Sequence, residues 1–178
     1  MQIGPVRVAP ALVLAPMSGV TGSAFRRLIK RENPGCVGLV VSEFISVEAL
    51  SRNNRRSLEM CRFSDEEKPI AIQIFGYDID RMVTGARLAE ESGADIVDIN
   101  CGCPVPKVVK RGGGCELMRQ SAHLARMLTA VRRSLTVPLT VKIRAGWDDG
   151  TRNAAEIARI AEECGVSMIA IHGRTCKQ

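Results

Sequence analysis

Six short apolar runs punctuate this chain, at Ala11–Ala15, Gly38–Glu43, Pro69–Gly76, Ala94–Ile99, Pro138–Arg144 and Met168–His172. Each is short, rich in Val, Ile and Leu, and flanked by Gly or Pro, the pattern of a strand buried on both faces. Between them the apolar positions return at helical spacing. Phe25, Leu28 and Ile29 predict one buried face, with Arg26, Arg27, Lys30 and Arg31 outside and Ser23 as the cap. Ser51–Cys61 is polar and basic and reads as a loop with helical pieces. Asp78 is expected to cap a helix that buries Ile79, Met82, Val83 and Ala86 and ends at Gly93. Ser121 would cap a helix burying Leu124, Met127, Leu128 and Val131. Asn153 with Glu156 predicts a capping box ahead of Ile157, Ile160 and Ala161.

Alternation of strand and helix predicts a parallel sheet of βα units. An internal repeat sharpens that expectation: Ala89–Asn100 aligns with Ala161–His172, and Pro69–Ile74 with Pro138–Ile143. A repeat stepping by two βα units suits an α/β fold of the TIM (β/α)8 barrel type, with only about the first six βα units in residues 1–178. Period-two reading turns Ile70, Ile72 and Ile74 toward the helices, and Ala71 and Gln73 inward. It also turns Asp98, Asn100, Thr140, Lys142, Ala170 and His172 inward. Gln73, Asn100, Lys142 and His172 are therefore expected to converge at the carboxyl end of a barrel. Buried polar groups need partners, either one another or a bound polar ligand.

Composition narrows the class. Hydrophobic content of 46% with 3% aromatics suits an aliphatic α/β core, and the net charge of +6 favours anionic partners such as RNA or phosphate. Seven cysteines without a signal peptide predict free thiols in the cytoplasm. No apolar run is long enough to span a bilayer.

The densest chemistry lies in Asp98-Ile99-Asn100-Cys101-Gly102-Cys103-Pro104-Val105-Pro106-Lys107. This stretch leaves a strand at its carboxyl end, where α/β proteins place ligands. Cys101 and Cys103 compete as the functional thiol. Cys101, Cys103 and Cys115 as zinc ligands lack the usual Cys-x2-4-Cys pairing. Lys107, Lys110 and Arg111 run into Gly112–Gly114, a basic loop suited to a nucleic-acid backbone or to plain solvation. It lacks the Gly-Lys-Ser/Thr ending of a phosphate loop.

In order and spacing, Ala15-Pro16-Met17-Ser18-Gly19-Val20-Thr21, Phe25-Arg26, Ser42-Glu43, Gln73-Ile74-Phe75-Gly76, Asp98–Pro104, Val141–Trp147 and Ile171–Thr175 resemble the tRNA-dihydrouridine synthases, most nearly the bacterial B-type branch. The resemblance implies an FMN enzyme, reduced by NADPH or NADH, that reduces the C5=C6 bond of tRNA uridines. It implies that Pro16, Met17 and Ser18 line the flavin, that Gln73 and Lys142 bind its polar edge, and that His172 lies toward its ribityl phosphate. It implies Asn100 between flavin and uracil, Cys103 as the acid that protonates C5, and Lys107 and Arg111 on tRNA. It further implies a monomer at full length, without membrane association. A non-catalytic RNA-binding remnant and an FMN barrel oxidoreductase acting on a small pyrimidine or enone are the alternative readings. The strands and phosphate loops that would complete a barrel, and the family's helical tRNA-binding domain, are expected to lie outside this sequence, so residues 1–178 alone are expected to bind FMN poorly.

Overall fold

A computed structural model describes residues 1–178. The elements in order are β1 (Gln2–Ile3), β2 (Val6–Arg7), β3 (Val13–Leu14), α1 (Ser23–Glu32), β4 (Leu39–Val41), β5 (Ile45–Ser46), α2 (Val47–Leu50), α3 (Arg55–Met60), β6 (Ile70–Phe75), α4 (Ile79–Glu91), β7 (Ile96–Cys101), α5 (Pro106–Val109), α6 (Ser121–Ser134), β8 (Leu139–Arg144), α7 (Ala154–Glu163) and β9 (Met168–His172). Strands β3, β4, β6, β7, β8 and β9 pair in sequence order, every pair parallel. The two-residue β5 adds to the carboxyl end of β6. All six expected strands are present, as an α/β fold around one parallel sheet.

The sheet separates two apolar layers, because side chains alternate along each strand. Ile70, Ile72 and Ile74 of β6, Val97 and Ile99 of β7, and Val141 and Ile143 of β8 face the helices. They pack against Met82, Ala86 and Ala89 of α4 and against Leu124, Met127, Leu128 and Val131 of α6, all four of which are fully buried. Each such side chain contributes about 1.5–3 kcal/mol by leaving water. On the other face, Leu39, Val41, Ala71 and Ile96 form a smaller cluster with Ile3 and Val8. The β1–β2 ribbon thus covers the amino ends of the strands, and Gly4 (φ +54) lets it approach, since a Cβ there would lie 2.8 Å from Pro138. Above this cluster the inner face turns polar.

The repeat seen in the sequence is structural. Gly93 (φ +91) and Gly165 (φ +81) both sit in the left-handed region just after α4 and α7, and each lets the chain turn directly into the next strand.

Three helix starts differ from expectation. Asp78 does cap α4, accepting the Arg81 N–H at 2.9 Å. Ser23, Ser121 and Asn153 cap nothing: Ser23 Oγ donates to Glu67 at 2.6 Å, Ser121 follows Gln120 as a helical residue, and Asn153 donates to the Met118 carbonyl at 2.7 Å. The face of α1 also departs from expectation at two positions, while Phe25 and Ile29 are half-buried as expected. Arg26 is its one buried residue and Leu28 is 51% exposed. The cause is Glu67, fully buried in a turn between α3 and β6, whose carboxylate takes the Arg26 Nε–H at 2.6 Å and the Ser64 N–H at 2.8 Å. A buried carboxylate demands a cation, and that demand outweighs the apolar stripe. No helix is long and apolar enough to cross a membrane.

Candidate active site

The polar inner face is built by register. Gln73 sits beside Asp98, Asp98 beside Thr140, Asn100 beside Lys142, and Arg144 beside His172. Period two puts all of them on one side of the sheet, and the parallel pairing stacks them into rows at its carboxyl end.

These rows hold a directed hydrogen-bond chain. Asp98 is 4% exposed and accepts the Thr140 hydroxyl and the Gln73 Nε2–H, each at 2.5 Å. Gln73 Oε1 then accepts from Asn100 Nδ2 at 2.9 Å. Asn100 Oδ1 in turn accepts the backbone N–H groups of Gly102 (3.2 Å) and Cys103 (2.9 Å). A carboxylate can only accept, so Asp98 at the root of the chain fixes which end of each amide points where. Within the protein Gln73 and Asn100 each donate one of their two N–H bonds. Burial pushes the Asp98 carboxyl above its ordinary value, and the Thr140 and Gln73 hydrogen bonds and the Lys142 charge oppose that shift.

Lys142 is half-buried, and no carboxylate lies within ion-pairing distance of it. Burial lowers its ammonium, with Asp98 opposing. Together with the spare amide N–H groups it makes a donor-rich wall suited to a ligand rich in acceptors or carrying negative charge.

Cys103 is 6% exposed at the edge of this wall. Its carbonyl accepts the Cys115 N–H at 3.1 Å, and Gly114 (φ +60) permits that contact, since a Cβ there would lie 2.4 Å from the Cys103 carbonyl oxygen. Burial raises the Cys103 thiol, against the Val105 N–H and the nearby Arg144 charge. Arg144 straps the loop down by donating to the carbonyls of Gly102 (2.7 Å) and Thr175 (2.8 Å). Cys101 is wholly buried in the helix-side core and faces away from this site. That separates the two thiols left competing by the sequence, and it breaks up the Cys101–Cys103–Cys115 zinc set.

The Pro16–Met17–Ser18 turn follows β3 on the same rim. Thr21 closes it, its Oγ1 accepting the Met17 N–H at 3.0 Å, and the Gly19 N–H donates to Glu43. Lys107 and Arg111, on and just after α5, are exposed and line a cavity that Ser18 also lines. His172 lies on the inner side of β9 as expected but is exposed and joins none of these hydrogen bonds. Its ring is held low by the desolvation it undergoes and then by the charges of Arg144, Lys142 and Arg174. Gln73, Asn100, Lys142 and Cys103 are thus brought together, and His172 stands apart. Sequence reading turned Thr140 and Asp98 inward but gave them no part in the site, and it missed the inward Arg144, which the same parity would have found.

The profile described as "Dihydrouridine synthase (Dus)" matches residues 13–178. The chain is 44% identical over all 178 residues to "tRNA-dihydrouridine synthase B" of Xanthomonas axonopodis pv. citri, covering 53% of that protein. It is 41% identical over 175 residues to the protein of that name from Pseudomonas aeruginosa, with 98% of this chain and 52% of the relative covered. A "Probable tRNA-dihydrouridine synthase" of Rickettsia bellii is 41% identical over 176 residues, 98% of this chain and 53% of the relative. The chain therefore spans about half the length of the curated relatives it matches. Among solved structures, the carboxyl transferase domain of Rhizobium etli pyruvate carboxylase shares its fold, at a TM-score of 0.55 and 19% identity over 89% of this chain and 26% of the other. With a profile match running from β3 to the last residue, this chain belongs to the dihydrouridine synthase family.

Proposed function

We propose that this chain is the flavin-binding catalytic portion of a tRNA-dihydrouridine synthase. Its six parallel strands and their helices are read as part of a (β/α)8 barrel, working on tRNA in the cytoplasm, as a monomer and away from membranes. The supporting observation is the chain Asp98–Gln73–Asn100–Cys103, which sets one thiol beside a row of inward donors. An unpaired, half-buried Lys142 next to two spare amide N–H groups fits FMN, whose ring edge carries carbonyl oxygens and gains negative charge on reduction. Gln73 and Lys142 would hold that edge, Pro16, Met17 and Ser18 would line the ring, and His172 would face the ribityl phosphate. When bound and kept reduced by NADPH or NADH, FMN would supply the hydride for C6 of uracil.

The protein's own part is the proton. Hydride addition leaves an electron pair at C5 and charge on O4, and the Cys103 S–H bond breaks as the new C5–H bond forms. Burial raises the thiol, so Cys103 holds its proton at neutral pH. Asn100 positions the loop that carries it and faces uracil, and Lys107 and Arg111 take tRNA phosphates. Replacing Cys103 by Ala tests this. The variant should bind FMN as the wild type does and lose dihydrouridine formation, and full turnover by it would overturn the assignment.

A further inference from the structure

A cavity of about 580 Å³ opens over the carboxyl ends of β4, β6 and β7, beside the Cys103 loop. That size falls in the range of small-ligand sites, about 300–1,000 Å³. Phe44 and Phe75 form its apolar wall, edge to face with ring centroids 5.0 Å apart. Tyr77 forms a rigid lip: its ring stacks on His123 at 4.2 Å, and its hydroxyl donates to Gln120 at 3.1 Å. Gly112 (φ +83) lies against that ring, so close that a Cβ would stand 2.3 Å from it.

The charges lining the cavity do not cancel. Glu48 is committed to Arg81 and Arg52, and Asp78 caps α4. Lys107 and Arg111 pair with no carboxylate. Val108 forms the partition to the thiol, its Cγ1 within 3.4 Å of a Cβ built at Gly113 on the cavity side and within 3.1 Å of one at Gly114 against Cys103. An apolar wall of two edge-to-face rings, two free cations and a one-residue partition from the reacting thiol describe a receptor for a nucleotide that is not the one being reduced.

We propose that this cavity binds a second, unpaired nucleotide of the substrate RNA, next to the target uridine. Its base packs on Phe44 and Phe75, and its phosphate lies on Lys107 and Arg111. The inference rests on the RNA-substrate reading above and adds a sequence-local foothold to it.

The test is an abasic scan of a short single-stranded oligoribonucleotide with a central uridine, titrated by fluorescence anisotropy against the wild-type chain, Phe44→Leu and Arg111→Ala. In the wild type, removing the base beside the uridine should weaken binding about tenfold or more. In Phe44→Leu the same removal should cost less than about twofold, because the wall it would leave empty is already lost. Arg111→Ala should weaken intact and abasic RNA alike and lower the salt dependence of binding by about one phosphate contact. An undiminished abasic penalty in a folded Phe44→Leu, with an unchanged salt slope in Arg111→Ala, overturns the cavity assignment alone. No RNA binding by the wild type removes the RNA reading with it. Displacement of bound oligonucleotide by NADPH at stoichiometric levels overturns the proposal in favour of the reductant.

Discussion

Asn100 Oδ1 accepts the backbone N–H of Cys103 at 2.9 Å, so the side chain ending one strand sets the position of the thiol three residues later. Asn100 can do so because Gln73 Oε1 takes its Nδ2–H. Asn100→Asp keeps an acceptor for Cys103 but faces Gln73 Oε1 with a second acceptor. Turnover should fall about 100-fold, the usual consequence of a small misplacement of reacting groups. Flavin affinity and turnover measured together check it, and unimpaired turnover would refute the positioning role.

Asp98 gives a prediction with an unusual sign. Burial raises its carboxyl, so its charged form is less favourable in the fold than in the unfolded chain. Its contribution to stability is present below the ordinary value of 3.8 and is lost as pH rises through the folded value. Asp98→Asn should therefore melt no lower than wild type at pH 7, with any gain vanishing below about pH 4. The same variant removes the acceptor-only root of the amide chain, so Cys103 amide exchange should speed up despite the retained stability. A lower melting temperature at neutral pH would contradict this.

The pH profile of reduction should have its limb on the alkaline side. In the proposed role the thiol acts protonated, and burial raises it above its ordinary value of 9.0, so that form is lost only as pH rises past that value. Lys142, lowered by burial, loses its charge in the same direction. Single-turnover rates should stay level from about pH 6 to 8 and fall beyond about pH 9. A fall on the acid side of neutrality would assign the proton to another group.

Arg26 and Glu67 are 2% and 0% exposed and joined at 2.6 Å. Removing one partner strands a buried charge, so Glu67→Gln should destabilise the chain by about 3–5 kcal/mol. The double variant Arg26→Met, Glu67→Leu should recover part of that loss. Chemical denaturation of the two variants beside the wild type measures it, and a double variant no more stable than Glu67→Gln would show that the pair is not coupled.

Much of the fold was readable because it rests on local periodicity. The four-residue stripe of α6 answers to one buried face and the Ile70–Ile72–Ile74 alternation of β6 to the helix-side core, and nothing distant overrides them. Arg26 was misread because its partner, Glu67, lies 41 residues away, a distance over which periodicity carries no information. The caps failed likewise, since Ser23 and Asn153 spend their side chains on remote partners. At the site, parity alone brought Gln73, Asn100 and Lys142 to one face. It could not say that Asp98 organises them, because direction in a hydrogen-bond chain follows from which group cannot donate.

The strands of the large sheet are laid side by side in the order in which they occur along the chain. Apart from the two-residue β5, which needs β6, each strand docks on one that precedes it. Each pairing then closes one crossover rather than a loop spanning the sheet, which limits the entropy lost before the next pairing forms. Assembly can then keep pace with synthesis from the amino terminus, and the β6–β7 wall carrying Gln73, Asp98 and Asn100 can form before β9 has left the ribosome.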